Sequence, residues 1–280
     1  MSKKKEKLPK YLPSPLNNNM INYNVYYMSG NEKILYALLL FLAGGIVGYI
    51  FYGGLFKADG EATKATIISN AIVFCLGGLV AIKFLLPAVT SNLKRKRDKK
   101  LQKQFLDMLE SLSASLSSGN TVSASFENAF RDLRNQFSEN EPIVVELSEI
   151  LTGVENGLTL ETMLNDFGQR SNNEDIQNFS NVISNCYRLG GNFNDVVRRT
   201  RDIISDKMAV SDEIDTKLTS NKLQLNAMCL MPAVLVAMLK VSSGSFADNL
   251  ASATGVIVTT IAIGIFIGAY IWGRKIIDVR

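Results

Sequence analysis

Four apolar blocks, each about long enough to cross a bilayer, constrain this 280-residue chain more than any other feature. They are ILYALLLFLAGGIVGYIFYGGLF (34–56), ATIISNAIVFCLGGLVAIKFLLPAV (65–89), LQLNAMCLMPAVLVAMLKV (223–241) and TGVIVTTIAIGIFIGAYIWG (254–273). A helix needs roughly 20 apolar residues to cross a hydrocarbon core of about 30 Å. Lipid offers the backbone no hydrogen-bond partner, so each block satisfies its own N–H and C=O groups as a helix. The alternative is a soluble protein with four buried helices, and four such blocks are too many for it. The expected fold is all-α: a polytopic membrane protein with four transmembrane helices and a helical domain between spans two and three.

Charge orients the spans. Residues 1–33 carry six Lys against two Glu, and 90–103 carry seven basic residues against Asp98. The tail 274–280 is also basic, whereas the loops 57–64 and 242–253 are neutral and acidic. Lys and Arg concentrate on cytoplasmic flanks. This predicts a multi-pass protein of the cytoplasmic membrane with both termini and the 90–222 domain in the cytoplasm. Lys83 and Lys240 lie near span ends and read as anchors that snorkel to the headgroups. The Lys-, Pro- and Asn-rich stretch 1–33 reads as a disordered basic tail. It lacks an A-x-A site, so the first span is expected to be a retained anchor and not a cleaved signal.

The run of Lys94, Arg95, Lys96, Arg97, Lys99 and Lys100 directly follows a span, where anionic headgroups attract such residues. Contact with membrane lipids is expected there, and no nucleic acid. The domain beyond it, 104–222, has ten basic residues against nineteen acidic ones, a net −9 that repels phosphates.

Histidine is absent, which removes the triads and dyads built on it and the commonest metal ligand. Cys75, Cys186 and Cys229 form no CxxC pair and read as small buried residues. No D-x-[DN]-x-[DN]-G loop occurs. No catalytic, cofactor or metal site is expected.

Within the domain, apolar residues recur at helical spacing: Phe105, Met108, Leu109, Leu112 and Leu116; Phe126, Phe130, Leu133 and Phe137; Val144, Leu147, Ile150 and Leu151; Phe193, Val196, Val197, Ile203 and Ile204. Such stripes predict amphipathic helices that pack on one another. Three breaks share one form: SSGNTVSASFENAF, ENGLTLETML and LGGNFNDVV. In each, Gly119, Gly157 or the Gly190-Gly191 pair ends a helix. Thr121, Thr159 or Asn192 then caps the next one. Asp195 falls where a carboxylate completes a capping box. Gly190-Gly191 has neither G-x-G-x-x-G spacing nor a following G-K-[ST], and helix precedes it, so it reads as a corner and not a phosphate loop.

These corners carry a resemblance. QFLDMLESLSASLSSGNTVSASFENAF, ENGLTLETMLNDFGQRS and CYRLGGNFNDVVRRTRDIISDK, in that order over roughly 101–220, resemble the type II secretion F domain, a cytoplasmic helical bundle. Larger relatives carry two tandem F domains. One domain with two spans before it and two after is similar to the TadB/TadC-like membrane proteins of tight-adherence (Tad/Flp) pilus assembly. The resemblance implies a non-enzymatic platform in the cytoplasmic membrane. It implies as partners a hexameric assembly ATPase, a sister F-domain membrane protein and pilin, in a homo- or hetero-oligomer.

Mechanistic expectations follow. Gly44-x-x-x-Gly48 and Gly264-x-x-x-Gly268 allow close helix contact, although glycine is also common in membrane helices. The helix that begins near Asn192 is expected to run unbroken through 222 into the third span, with Pro232 bending it. Glu139, Glu141, Glu146, Glu149 and Glu155 crowd one segment. A solvated face is the ordinary reading, and a docking face for a basic rim on the ATPase is the functional one. The rival classes are a small-solute transporter, with only Ser69, Asn70 and Asn226 as polar candidates in its spans, a membrane enzyme, and a signalling scaffold.

Overall fold

The computed structural model describes residues 8–55, 63–189 and 191–277. Its elements run β1 (Tyr11–Pro13), β2 (Asn19–Ile21), α1 (Gly30–Tyr52), α2 (Lys64–Ser117), α3 (Val122–Gln136), α4 (Pro142–Glu155), α5 (Leu160–Ser171), α6 (Glu174–Leu189), α7 (Phe193–Ser242), α8 (Gly244–Ala251) and α9 (Ala253–Ile277). The chain divides into two compact units. One comprises residues up to Tyr27 and Thr90–Ser211, and the other Met28–Val89 and from Asp212 onward. Helices α1, α2, α7 and α9 are long and apolar enough to cross a membrane. The fold is all-α, as the periodicity predicts, with one two-stranded hairpin added.

That hairpin corrects the expectation for residues 1–33. The described part, from Leu8 on, is ordered. Strands β1 and β2 pair antiparallel, with Tyr11 opposite Ile21 and Pro13 opposite Asn19. Asn17 takes the left-handed conformation at the turn (φ 59°), and Ser14 Oγ accepts from the N–H groups of Leu16 and Asn18. Asparagine tolerates that conformation and serine closes such turns, so the composition that reads as disorder also builds a tight turn.

In the helical unit, one continuous apolar core joins α2 through α7. Leu101, Phe105, Met108, Leu109 and Leu112 of α2 are fully buried, and so are Leu147 of α4, Phe167 of α5 and Ile183 of α6. Phe105 meets Phe167 and Phe179 edge-on at centroid distances of 6.3 and 5.5 Å. The α7 stripe differs in detail. Val197 and Ile204, seven residues apart, enter the core, whereas Ile203 is 64% exposed. Two successive residues lie about 100° apart around a helix, so Ile203 and Ile204 cannot share one face.

In the other unit, α1 and α2 carry the same pattern, Phe41-x-x-Gly44-Gly45-x-x-Gly48 and Phe74-x-x-Gly77-Gly78-x-x-Ala81. The two patterns lock reciprocally. A Cβ on Gly45 would strike the Phe74 ring at 2.6 Å, one on Gly78 would strike the Phe41 ring, and the two rings meet edge-on at 5.7 Å. A Cβ on Gly44 would lie 2.6 Å from the Gly77 carbonyl oxygen, and one on Gly77 equally close to that of Gly44. The backbones therefore touch, as small residues permit in lipid. Lys240 donates to the Gly53 carbonyl at 2.8 Å, and Asn70 accepts from the Gly54 N–H at 2.8 Å. Tyr52 and Thr260 share a hydrogen bond of 2.9 Å. Among the described residues, no atom lies within 4 Å of a would-be Cβ on Gly264 or Gly268, unlike the first pair.

Gly77→Leu should force α1 and α2 apart and destabilise the pair by about 1–3 kcal/mol. Gly264→Leu should leave the stability of the single chain unchanged. Thermal unfolding of the two detergent-solubilised variants checks both.

Candidate functional site

Two of the predicted corners share one full geometry and the third shows one of its bonds, all made by hydrogen bonds no more than five residues apart. At the end of α2, Gly119 has φ +84°, Asn120 N–H reaches the Ser115 carbonyl at 3.3 Å and Gly119 N–H reaches that of Leu116 at 3.0 Å. At the end of α4, Gly157 has φ +85°, Leu158 N–H reaches the Gly153 carbonyl and Gly157 N–H that of Val154, both at 3.0 Å. This pair of bonds around a left-handed residue is the Schellman ending. At the third corner Gly191 N–H reaches the Cys186 carbonyl at 2.9 Å, the same five-residue span. Gly190 lies outside the described residues.

Each corner then starts its next helix with a side-chain cap. Thr121 Oγ1 accepts from Ala124 N–H and Thr159 Oγ1 from Thr162 N–H, each at 3.3 Å. Asn192 Oδ1 accepts from the N–H groups of Asn194 at 3.1 Å and Asp195 at 3.5 Å. Asp195 departs from the expected capping box: its carboxylate accepts from the Asn192 side-chain amide at 3.0 Å. A fourth corner carries no glycine. Asn172 ends α5 in the left-handed conformation (φ 52°), and Asn173 Oδ1 caps α6 through Asp175 and Ile176. The S-N-N-E-D string holds its only signal.

The acidic cluster does not form one open face. Glu146 is buried (1% exposed) and takes both guanidinium nitrogens of Arg170, Nη1 at 2.8 Å and Nη2 at 2.7 Å. Arg170 Nε also donates to Asp166 at 2.7 Å. Glu149 accepts from Ser14 Oγ at 2.6 Å and from Asn18 Nδ2 at 3.0 Å, both in the hairpin. Glu141 accepts from Lys100 Nζ at 2.6 Å and from Gln104 Nε2 at 2.8 Å. Glu139 pairs with Arg134 at the surface, and Glu155 is exposed. Helical periodicity explains the split: Val144, Leu147 and Ile150 define the buried side of α4, and Glu146 shares it. Only the partner supplied by α5 makes that burial tolerable.

Burial is the largest influence on Glu146 and raises its carboxyl pKa, while the Arg170 hydrogen bonds pull it back. Burial works against the Arg170 charge, but Glu146 and Asp166 together hold the guanidinium above its ordinary range. Burial, followed by the charge of Glu146, pushes the neighbouring Tyr23 phenol far up, so it stays protonated.

Arg97 leaves the set expected to contact lipid. Its Nη2 donates to the Tyr23 carbonyl at 2.7 Å and its Nη1 to that of Val25 at 3.2 Å, and it lies 5.3 Å from the centroids of the Tyr23 and Tyr26 rings. Lys100 pairs with Glu141. Arg95, Lys96 and Lys99 are exposed and Lys94 is half-buried. Of the cysteines only Cys186 is buried, and Cys75 is exposed on its span. Among the described residues, no group of three or more Cys, Asp and Glu is placed to hold a metal ion.

Arg170→Ala should cost about 3–5 kcal/mol, because it strands a buried carboxylate. Replacing both partners, as Glu146→Leu with Arg170→Met, should cost far less. Gly157→Ala should cost about 1–2 kcal/mol, the penalty for a side chain in the left-handed region. Denaturation of the solubilised variants reads all three.

No curated protein and no solved structure matches the chain. The family model for the type II secretion system (T2SS), protein F, matches residues 108–239. That stretch takes in all the glycine corners, the Glu146–Arg170 pair and α7 as far as the third apolar block. The corner geometry and the match fall on the same stretch: residues 108–239 are similar to the type II secretion system protein F domain.

Proposed function

We propose that the protein is a platform of the cytoplasmic membrane in a Tad/type IV-like pilus or type II secretion machine. In this reading it couples a hexameric cytoplasmic ATPase to pilin extraction and polymerisation, beside a sister F-domain protein. The observation that carries the reading is a match to the protein F domain at 108–239 whose flanks are four helices apolar enough to cross a membrane. The protein works by holding and moving partners and has no catalytic chemistry of its own.

Both termini and the helical unit lie in the cytoplasm. Two features support this: the basic flanks, and the packing of residues 8–27 within the helical unit. Helix α7 runs unbroken from Phe193 to Ser242 and passes Ser220 and Asn221 without a turn. An unbroken helix transmits displacement along its axis, and we assign α7 that role. Glu155 and Glu139, the latter in a surface pair with Arg134, are the residues of this acidic segment most open to a basic partner, since Glu141, Glu146 and Glu149 are less exposed and engaged within the chain.

A gentle-detergent pull-down of the tagged protein from its native membrane should recover a secretion-type ATPase and a second F-domain protein. Recovery of neither, or of a bound small solute instead, would replace this reading with that of a transporter. Amide exchange at Ser220 and Asn221 should be as slow as in the flanking turns of α7. Fast exchange there would remove the transmission role.

A further inference from the structure

The face made by α2, α4 and α5 treats residues 8–27 as a receptor treats a peptide. An aromatic anchor, Tyr23, is fully enclosed (0% exposed), and Leu16 and Ile21 pack beside the same core. Two arginines read backbone carbonyls: Arg97 those of Tyr23 and Val25, and Arg170 that of Ile21 at 3.4 Å. The Arg170 carbonyl takes the Tyr23 N–H at 3.0 Å. Glu149 grips the hairpin turn through Ser14 and Asn18. Buried aromatic anchors, backbone hydrogen bonds and one polar clamp are the ordinary parts of peptide recognition.

The segment is also built to be separable. It pairs with itself as β1–β2, and its main-chain hydrogen bonds to the helices are few. One buried polar atom in its seat, Arg97 Nε, makes no hydrogen bond. An unmet buried group weakens the docked state relative to a fully satisfied core. Residues 8–27 and Arg97 lie outside the 108–239 match, so the ligand and part of its receptor are additions to the matched domain.

We propose that this face is a peptide-binding site and that residues 8–27 are its intramolecular ligand, docking and releasing as a unit while the helices stay folded. The site takes a peptide with a tyrosine anchor whose own carbonyl and the one two residues on meet one guanidinium, whose carbonyl two residues before meets another, and which is preceded by a turn that offers donors to a carboxylate. The segment ends at Tyr27, and α1 begins at Gly30. This inference does not depend on the platform reading.

The test uses the full chain in lipid nanodiscs. Y23A vacates the pocket, and a fluorescent synthetic peptide of residues 8–27 is the probe. It should bind Y23A saturably, bind the wild type at least about tenfold more weakly because the site is filled, and bind Y23A/R97A at least about tenfold more weakly than Y23A. A peptide lacking its own tyrosine (Y23A in the probe) should not bind. A folded, helical Y23A that ignores the probe overturns the proposal. Wild-type amide exchange decides independently, including when Y23A fails to fold. The amides of Asn22 and Tyr23 should exchange together, and faster than those of α4 and α5. Equal protection would make the segment a fixed part of the core and overturn the proposal.

Discussion

Arg170 directs one guanidinium at three partners. Two of its nitrogens meet Glu146 of α4, a third meets Asp166 one turn earlier on α5, and a weaker contact reaches the Ile21 carbonyl. An unpaired charge at this depth costs several kcal/mol, so the carboxylate partners are obligatory. The planar fork accepts only a narrow range of carboxylate positions. The register of α4 against α5 and the seat of the N-terminal hairpin are therefore set together. Tyr23 closes the arrangement, its ring shielding the pair and its N–H held by the Arg170 carbonyl.

The membrane-side unit is held by a different physics. Lipid tails are as apolar as leucine, so helices there gain little from hiding apolar side chains and depend on contact at short range. The repeated F-x-x-G-G pattern of α1 and α2 supplies that contact, each phenylalanine resting on the other helix's second glycine. Polar groups at the span ends add specific ties, with Lys240 on the Gly53 carbonyl and Tyr52 on Thr260. Lys240 thus has a protein partner in addition to any headgroup. Asn70 is likewise engaged by the backbone of Gly54.

What could be read from the residues divides by distance along the chain. The glycine corners were legible because their chemistry is local: a left-handed residue, a bond spanning five residues, and a cap within three. The Asn172 corner is less legible because asparagine adopts the left-handed conformation less often than glycine and its string gives no other sign. The basic run and the acidic run are each divided by contacts with distant parts of the chain. Arg97 and Glu149 serve the hairpin, and Glu146 is buried, through partners 72 to 135 residues away or 24 away on another helix. No window of sequence holds both members of such pairs.

By itself, then, the sequence determined the four spans, the helical character of the domain between them, its corners and its family resemblance. Hydropathy, helical period and capping all act within a few turns of chain, so they are written locally. Only the tertiary structure decided which charges face solvent, which glycines touch another helix and where residues 8–27 go. Burial of a charge depends on a partner brought from elsewhere. Gly44 and Gly264 sit in the same local motif, yet among the described residues only Gly44 meets a neighbouring backbone.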